Sequence, residues 1–120
     1  MFDDRTPIYL QIAANLKEDI LNGTLAEGDQ VMSTNQYAAF YRINPATAAK
    51  GLNQLVTDGV LYKRRGVGMF VATGAREQLL KRRRSEFAEQ YLTPLLAEAE
   101  KVGISVPEVT AMLQERGGRA

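Results

Sequence analysis

The chain has 120 residues with 15 basic and 14 acidic side chains, and it contains neither cysteine nor histidine. Those absences exclude disulfide frameworks, thiolate nucleophiles, cysteine-held zinc and histidine bases, so no cofactor or metal is expected. Near-neutral charge says nothing about nucleic acid, and the apolar content supports one compact domain or a small domain with an appendage.

The first ten residues have neither the basic start nor the apolar middle of a signal peptide. No apolar run approaches the ~20 residues that a membrane helix needs. The cytoplasm is therefore the expected location, with no membrane partner. Thr6-Pro7 is expected to open the first helix, Thr6 as its cap and Pro7 at its first position. Tyr9, Ile12, Ala13, Leu16 and Ile20 then recur at helical spacing, and Asn22-Gly23 suits a left-handed stop. After a loop through Gly28, Gln30-Val31-Met32 is expected as a short strand.

Ser33 and Gln36 have capping-box spacing and start a short second helix, with Tyr37, Ala38 and Phe40 turned inward. Tyr41-Arg42-Ile43 forms the turn. Asn44 caps a third helix with Pro45 at its first position, Leu52, Leu55 and Val56 form its buried face, and Asp58-Gly59 ends it. The period then changes: Val60 to Arg64, the turn Arg65-Gly66-Val67-Gly68, and Met69 to Ala72 read as a β-hairpin.

From Ala75 the helical period returns. Leu80, Phe87, Tyr91, Leu95 and Val102 form a stripe up to Gly103, and Pro94 is expected to kink or divide the segment. Ser105 and Glu108 make another capping-box pair, opening a last helix with Val106, Val109, Met112 and Leu113 that ends at Gly117-Gly118. The fold class is mainly α: a winged helix-turn-helix of three helices and a hairpin wing in residues 1–74, then a helical dimerisation segment in residues 75–120.

Pro7-Ile8-Tyr9-x-Gln11-Ile12, Ile20-x-x-Gly23-x-Leu25-x-x-Gly28-Asp29-x-Val31, Ile43-Asn44-Pro45-x-Thr47, Leu55-x-x-x-Gly59-Val60-Leu61 and Arg64-Arg65-Gly66-x-Gly68-x-Phe70-Val71 stand in order and at intact distances. Together they resemble the DNA-binding domain of GntR-type transcription regulators. The Asn-Pro-x-Thr start of the third helix and the short tail are similar to the YtrA-like subfamily. The resemblance implies a sequence-specific DNA-binding regulator, expected to repress, with the third helix in the major groove and the wing at the minor groove. It also implies target genes that often encode neighbouring ABC-type transporters.

The residues fit that role. A recognition helix needs an outer side free of bulky apolar groups. Ala46, Thr47, Ala49, Lys50, Asn53 and Gln54 point away from the Leu52/Leu55 face and are small or polar. Candidate DNA contacts are Ser33, Thr34 and Asn35 at the start of the second helix. Asn44, Pro45, Ala46, Thr47, Lys50 and Asn53 are those of the third. Arg64, Arg65, Gly66 and Gly68 belong to the wing, whose arginines a purely structural hairpin has no need of. Capping by itself explains Ser33 and Asn44. Relatives often carry base-reading arginines where this chain has Asn35, Pro45 and Ala49, Leu-Pro-Ser where it has Val31-Met32-Ser33, and asparagine at Ala46. Sequence reading then rests more on Asn44, Thr47, Lys50, Asn53, the wing and DNA shape.

A helix from Ala75 to Val102 would span ~40 Å, too long for a three-helix domain to cover. Its stripe, with Val109, Met112 and Leu113, needs a partner, for which a second copy is the economical choice. Double-stranded operator DNA and a homodimer are thus the expected partners, on a palindromic site with half-sites ~34 Å apart. The segment after the wing is too short for a sensing domain with its own enclosed pocket, so no small-molecule effector is assigned. Lys81-Arg82-Arg83-Arg84 either touches flanking phosphates or, as a charge run on a long helix more often does, forms a solvated face. The competing reading is a winged-helix module that docks protein instead of DNA. Glu86-x-x-Glu89 puts two carboxylates on one helical face, but no histidine, cysteine or glycine-rich phosphate loop accompanies them, and solvated surface explains the pair.

Overall fold

The computed structural model describes residues 3–117. Among them the order is α1 (Ile8–Leu21), α2 (Thr34–Tyr41), α3 (Pro45–Thr57), β1 (Leu61–Arg64), β2 (Gly68–Val71), α4 (Ala75–Phe87), a π-helical turn (Ala88–Leu92), α5 (Thr93–Lys101) and α6 (Val106–Gly117). The chain divides after Leu80 into two compact units. Gly118, the second residue of the expected terminal stop, lies outside the described residues. No helix among the described residues is long and apolar enough to cross a membrane.

In the first unit α1 and α2 pack on α3, and α3 on β1. Ala13, Leu16 and Ile20 of α1 meet Tyr37 and Ala38 of α2, Ala48, Leu52 and Leu55 of α3, and Leu61 and Val71 of the hairpin. Burying each large aliphatic of this set favours folding by about 1.5–3 kcal/mol. Ala75 and Leu79 of α4 close the same core. Arg76 donates its guanidinium Nε–H to the Leu21 carbonyl and Gln78 its amide to the Asp58 carbonyl, tying α4 to two helix ends.

The start of α1 differs from expectation. Pro7, extended at φ −52° and ψ 140°, is the cap residue rather than the first helical one, and no side chain caps the helix. Thr6 instead presents its carbonyl to the Gln11 side-chain amide at 2.7 Å. Asp3 Oδ1 accepts from the Arg5 and Thr6 N–H groups, and this local turn holds the entry segment in place. Gly23, at φ 86°, provides the left-handed stop.

The two following caps form as spaced. Ser33 Oγ accepts from Gln36 N–H at 3.1 Å while Gln36 Oε1 accepts from Ser33 N–H at 2.8 Å. Asn44 Oδ1 accepts from Ala46 N–H at 2.8 Å, with Pro45 in the first turn. Between these helices Arg42 turns the chain from the left-handed region, φ 56° and ψ 52°, where a residue other than glycine is uncommon. Phe40 was expected inward but is 64% exposed, lying edge-on to Tyr41. A helix of this length offers one narrow inner side, and Tyr37 and Ala38 fill it.

β1 and β2 pair antiparallel with Leu61 opposite Val71 and Arg64 opposite Gly68. The strand expected at Gln30 to Met32 shrinks to a single bridge between Gln30 and Phe70, supported by Val31 N–H donating to Met69. Asp29 and Gly28 extend the same contact to Val71, so the loop skirts the hairpin edge without adding a full strand.

In the second unit the helical backbone runs through Pro94 by way of the π-helical turn, where Thr93 N–H donates five residues back to the Ala88 carbonyl. Proline lacks a donor and its ring crowds the carbonyl four residues earlier; widening the preceding turn relieves both. Ala99 of α5 and Val109 of α6 are buried in this unit. Ser105 and Glu108 form their capping box, and the Ser105 N–H, followed by its hydroxyl, holds the Glu108 carboxyl below the ordinary carboxylate range.

Candidate nucleic-acid interface

The outer side of α3 is open. Asn44, Pro45, Ala46, Lys50, Asn53 and Gln54 are exposed and Thr47 and Ala49 half-buried, whereas Ala48, Gly51, Leu52 and Leu55 face the core. The helix can approach α1 closely because residue 51 is glycine: a Cβ there would lie 2.8 Å from the Tyr9 carbonyl oxygen. Within the same unit, Ser33 and Asn35 are exposed and Thr34 half-buried at the start of α2. Ser33 and Asn44 both spend side-chain acceptors on caps, yet both remain at the surface.

On the wing Arg64, Arg65 and Gly66 are exposed and Gly68 is half-buried. The Arg64 guanidinium carbon stands 5.3 Å from the centre of the Phe70 ring, which itself stacks on Tyr62 across the strands at 5.6 Å. A guanidinium laid on an aromatic face keeps its in-plane donors free. Lys50 is held similarly, its Nζ 4.2 Å from the centre of the Tyr9 ring. With no buried polar or charged residue among the described ones, the polar side chains of this unit gather at its surface.

Two supports escaped the reading of the sequence. Tyr9 counted there as one more core position, but its ring lies under Lys50. Gln30 has only a strand position in the sequence pattern, but its side-chain amide donates to the Val67 carbonyl at 3.0 Å. Neither pairing follows a helical or strand spacing, so no local pattern could have signalled it.

The residues expected to form a subunit contact lie in two settings. Leu80 is half-buried at the end of the first unit. In the second, Phe87, Tyr91, Leu95, Val102, Met112 and Leu113 are exposed, Phe87 at 60%, while Val109 is buried. Phe87 and Tyr91 touch each other, ring centres 5.6 Å apart. Leu92, Leu96 and Val106 are exposed as well; the first two stand beside the expected stripe at Tyr91 and Leu95 and widen the apolar surface. An almost wholly apolar cleft opens between α5 and α6, with Glu98 and Arg116 at its edge.

Comparison with known proteins agrees with this architecture. The model for "Bacterial regulatory proteins, gntR family" matches residues 8–71. The HTH-type transcriptional repressor YtrA of Bacillus subtilis (strain 168) is 29% identical over 92% of this chain and 84% of its own. A GntR family transcriptional regulator from Listeria monocytogenes superposes with a TM-score of 0.74 at 28% identity, covering 95% of this chain and 98% of the other. The AraR DNA-binding domain in complex with operator ORX1 superposes on 60% of this chain and 93% of its own, with a TM-score of 0.56 at 25% identity.

Proposed function

Because the chain belongs to the gntR family of bacterial regulatory proteins, and is thus a DNA-binding transcription regulator rather than an enzyme, we propose that it represses transcription as a homodimer on a palindromic operator. The open, polar outer side of α3 carries this reading. Asn44, Pro45, Ala46, Thr47, Lys50 and Asn53 enter the major groove. Ser33, Thr34 and Asn35 meet the phosphate backbone, and Arg64, Arg65, Gly66 and Gly68 follow the minor groove, where a narrowed groove concentrates negative potential. The operator-bound AraR domain, similar over 60% of this chain, supports this assignment.

Residues 1–74 form the DNA-binding part and residues 75–120 the dimerisation part. The second assignment rests on the exposed Phe87, Tyr91, Leu95, Val102, Met112 and Leu113, large apolar side chains that a second copy would cover. Two-fold pairing sets the two half-sites about one helical turn (~34 Å) apart. The protein acts in the cytoplasm, where its operator is.

Footprinting the purified protein on DNA upstream of its gene, with its solution mass measured alongside, tests this. Two protected half-sites and twice the chain mass are expected. A monomer protecting a single half-site removes the dimer, and no shift at low salt turns the reading to a winged-helix module that docks protein.

A further inference from the structure

Tyr9 stands in the first turn of α1 and Lys50 midway along α3, and the Lys50 ammonium lies 4.2 Å from the centre of the Tyr9 ring. The Tyr9 backbone carbonyl is the atom that Gly51 allows α3 to approach, so the helix crossing brings the Tyr9 main chain close to α3, within reach of Lys50. Tyr9 and Lys50 line a shallow hollow with Pro7, Ile8, Ala46 and Thr47, three of whose residues belong to the recognition helix.

An exposed lysine has four rotatable side-chain bonds and loses that freedom when it docks. A ring face attracts the ammonium without using all of its three N–H donors. We infer that Tyr9 is a positioning residue for DNA recognition: its ring holds the Lys50 ammonium at the amino-terminal half of α3 before DNA arrives. The inference rests on the DNA-binding role proposed for Lys50. It makes Tyr9 act through Lys50 and not by its own contact with the operator.

The first measurement uses the free protein. The Lys50 ε-methylene protons are expected upfield of their usual position by ring-current shift in the wild type and in Tyr9→Phe, and at the usual position in Tyr9→Leu. The second uses operator affinity. Tyr9→Leu is expected to bind about two- to fivefold more weakly, Tyr9→Phe like the wild type, and Tyr9→Leu to cost nothing further once Lys50→Ala is present. Melting curves check that each variant folds; if Tyr9→Leu does not, Tyr9→Met replaces it. An unshifted Lys50 signal in the wild type, or additive losses in the double variant, overturns the inference. Lys50→Ala binding as tightly as the wild type removes Lys50 from the DNA contact itself, a separate failure.

Discussion

Gln30 reaches from the loop before α2 to the tip of the hairpin, its side-chain amide donating to the Val67 carbonyl at 3.0 Å. Gly68 makes room for it: a Cβ at Gly68 would stand 2.6 Å from Gln30 Nε2, and the backbone there has φ 144°. Gln30→Ala is therefore expected to loosen the wing tip. A hydrogen bond of this kind contributes about 0.5–1.5 kcal/mol, so operator binding should weaken up to about tenfold while the melting temperature changes by only a few degrees. Shift assays and melting curves on the same sample check it; unchanged binding would mean that the tip does not need this support.

Arg65 is exposed beside Arg64, whose guanidinium lies on Phe70. If Arg65 neutralises one phosphate, Arg65→Ala lowers the slope of log affinity against log salt by about one. Titrations at several salt concentrations give the slope directly, and an unchanged slope takes Arg65 off the phosphate backbone.

Asn44 combines a cap and a proposed DNA contact, and two substitutions separate them. Asn44→Ala removes the acceptor of the Ala46 N–H and should cost about 1 kcal/mol of stability. Asn44→Asp keeps a capping oxygen and suits the helix dipole, so stability should hold. Its negative charge would face the operator, and binding should fall about tenfold or more. Normal binding by the Asp variant would leave Asn44 as a cap alone.

Gly51→Ala places a Cβ 2.8 Å from the Tyr9 carbonyl oxygen and 3.4 Å from the Ile12 side chain. Alanine favours helix by about 1 kcal/mol over glycine, but forcing α1 and α3 apart costs about 1–3 kcal/mol. A net loss of about 1 kcal/mol is expected, read as a melting temperature lower by several degrees. A variant that melts higher would show that the crossing has slack.

Burial, then the neighbouring Tyr41 and Asp19, push the Tyr37 hydroxyl up to about 12. The unfolded chain releases that proton near pH 10, so the folded state holds it longer. The contribution is full below pH 10 and lost as pH rises toward 12, on the order of 2 kcal/mol. Denaturant midpoints measured from pH 9 to 12 should drop for the wild type and drop less for Tyr37→Phe; parallel curves would place the alkaline loss elsewhere.

The sequence by itself determined most of the element starts whose signals act within one helical turn, the Thr6-Pro7 start of α1 excepted. Ser33 with Gln36 and Ser105 with Glu108 satisfy amides three residues away, Asn44 satisfies the Ala46 amide two residues on, and those helices begin where the spacing says. The buried faces of α1 and α3 were legible for the same reason, since a 3.6-residue period is a property of one helix alone. Only the tertiary structure decided that Tyr9 lies beneath Lys50, that Gln30 holds Val67, and that Gly51 admits the Tyr9 carbonyl. Each joins positions far apart in the chain, and their meeting depends on how helices cross and where the loop runs along the hairpin. Pro94 shows the boundary between the two: its missing donor announced a disturbance, but whether the helix would break, bend or widen depended on the backbone around it, which widened.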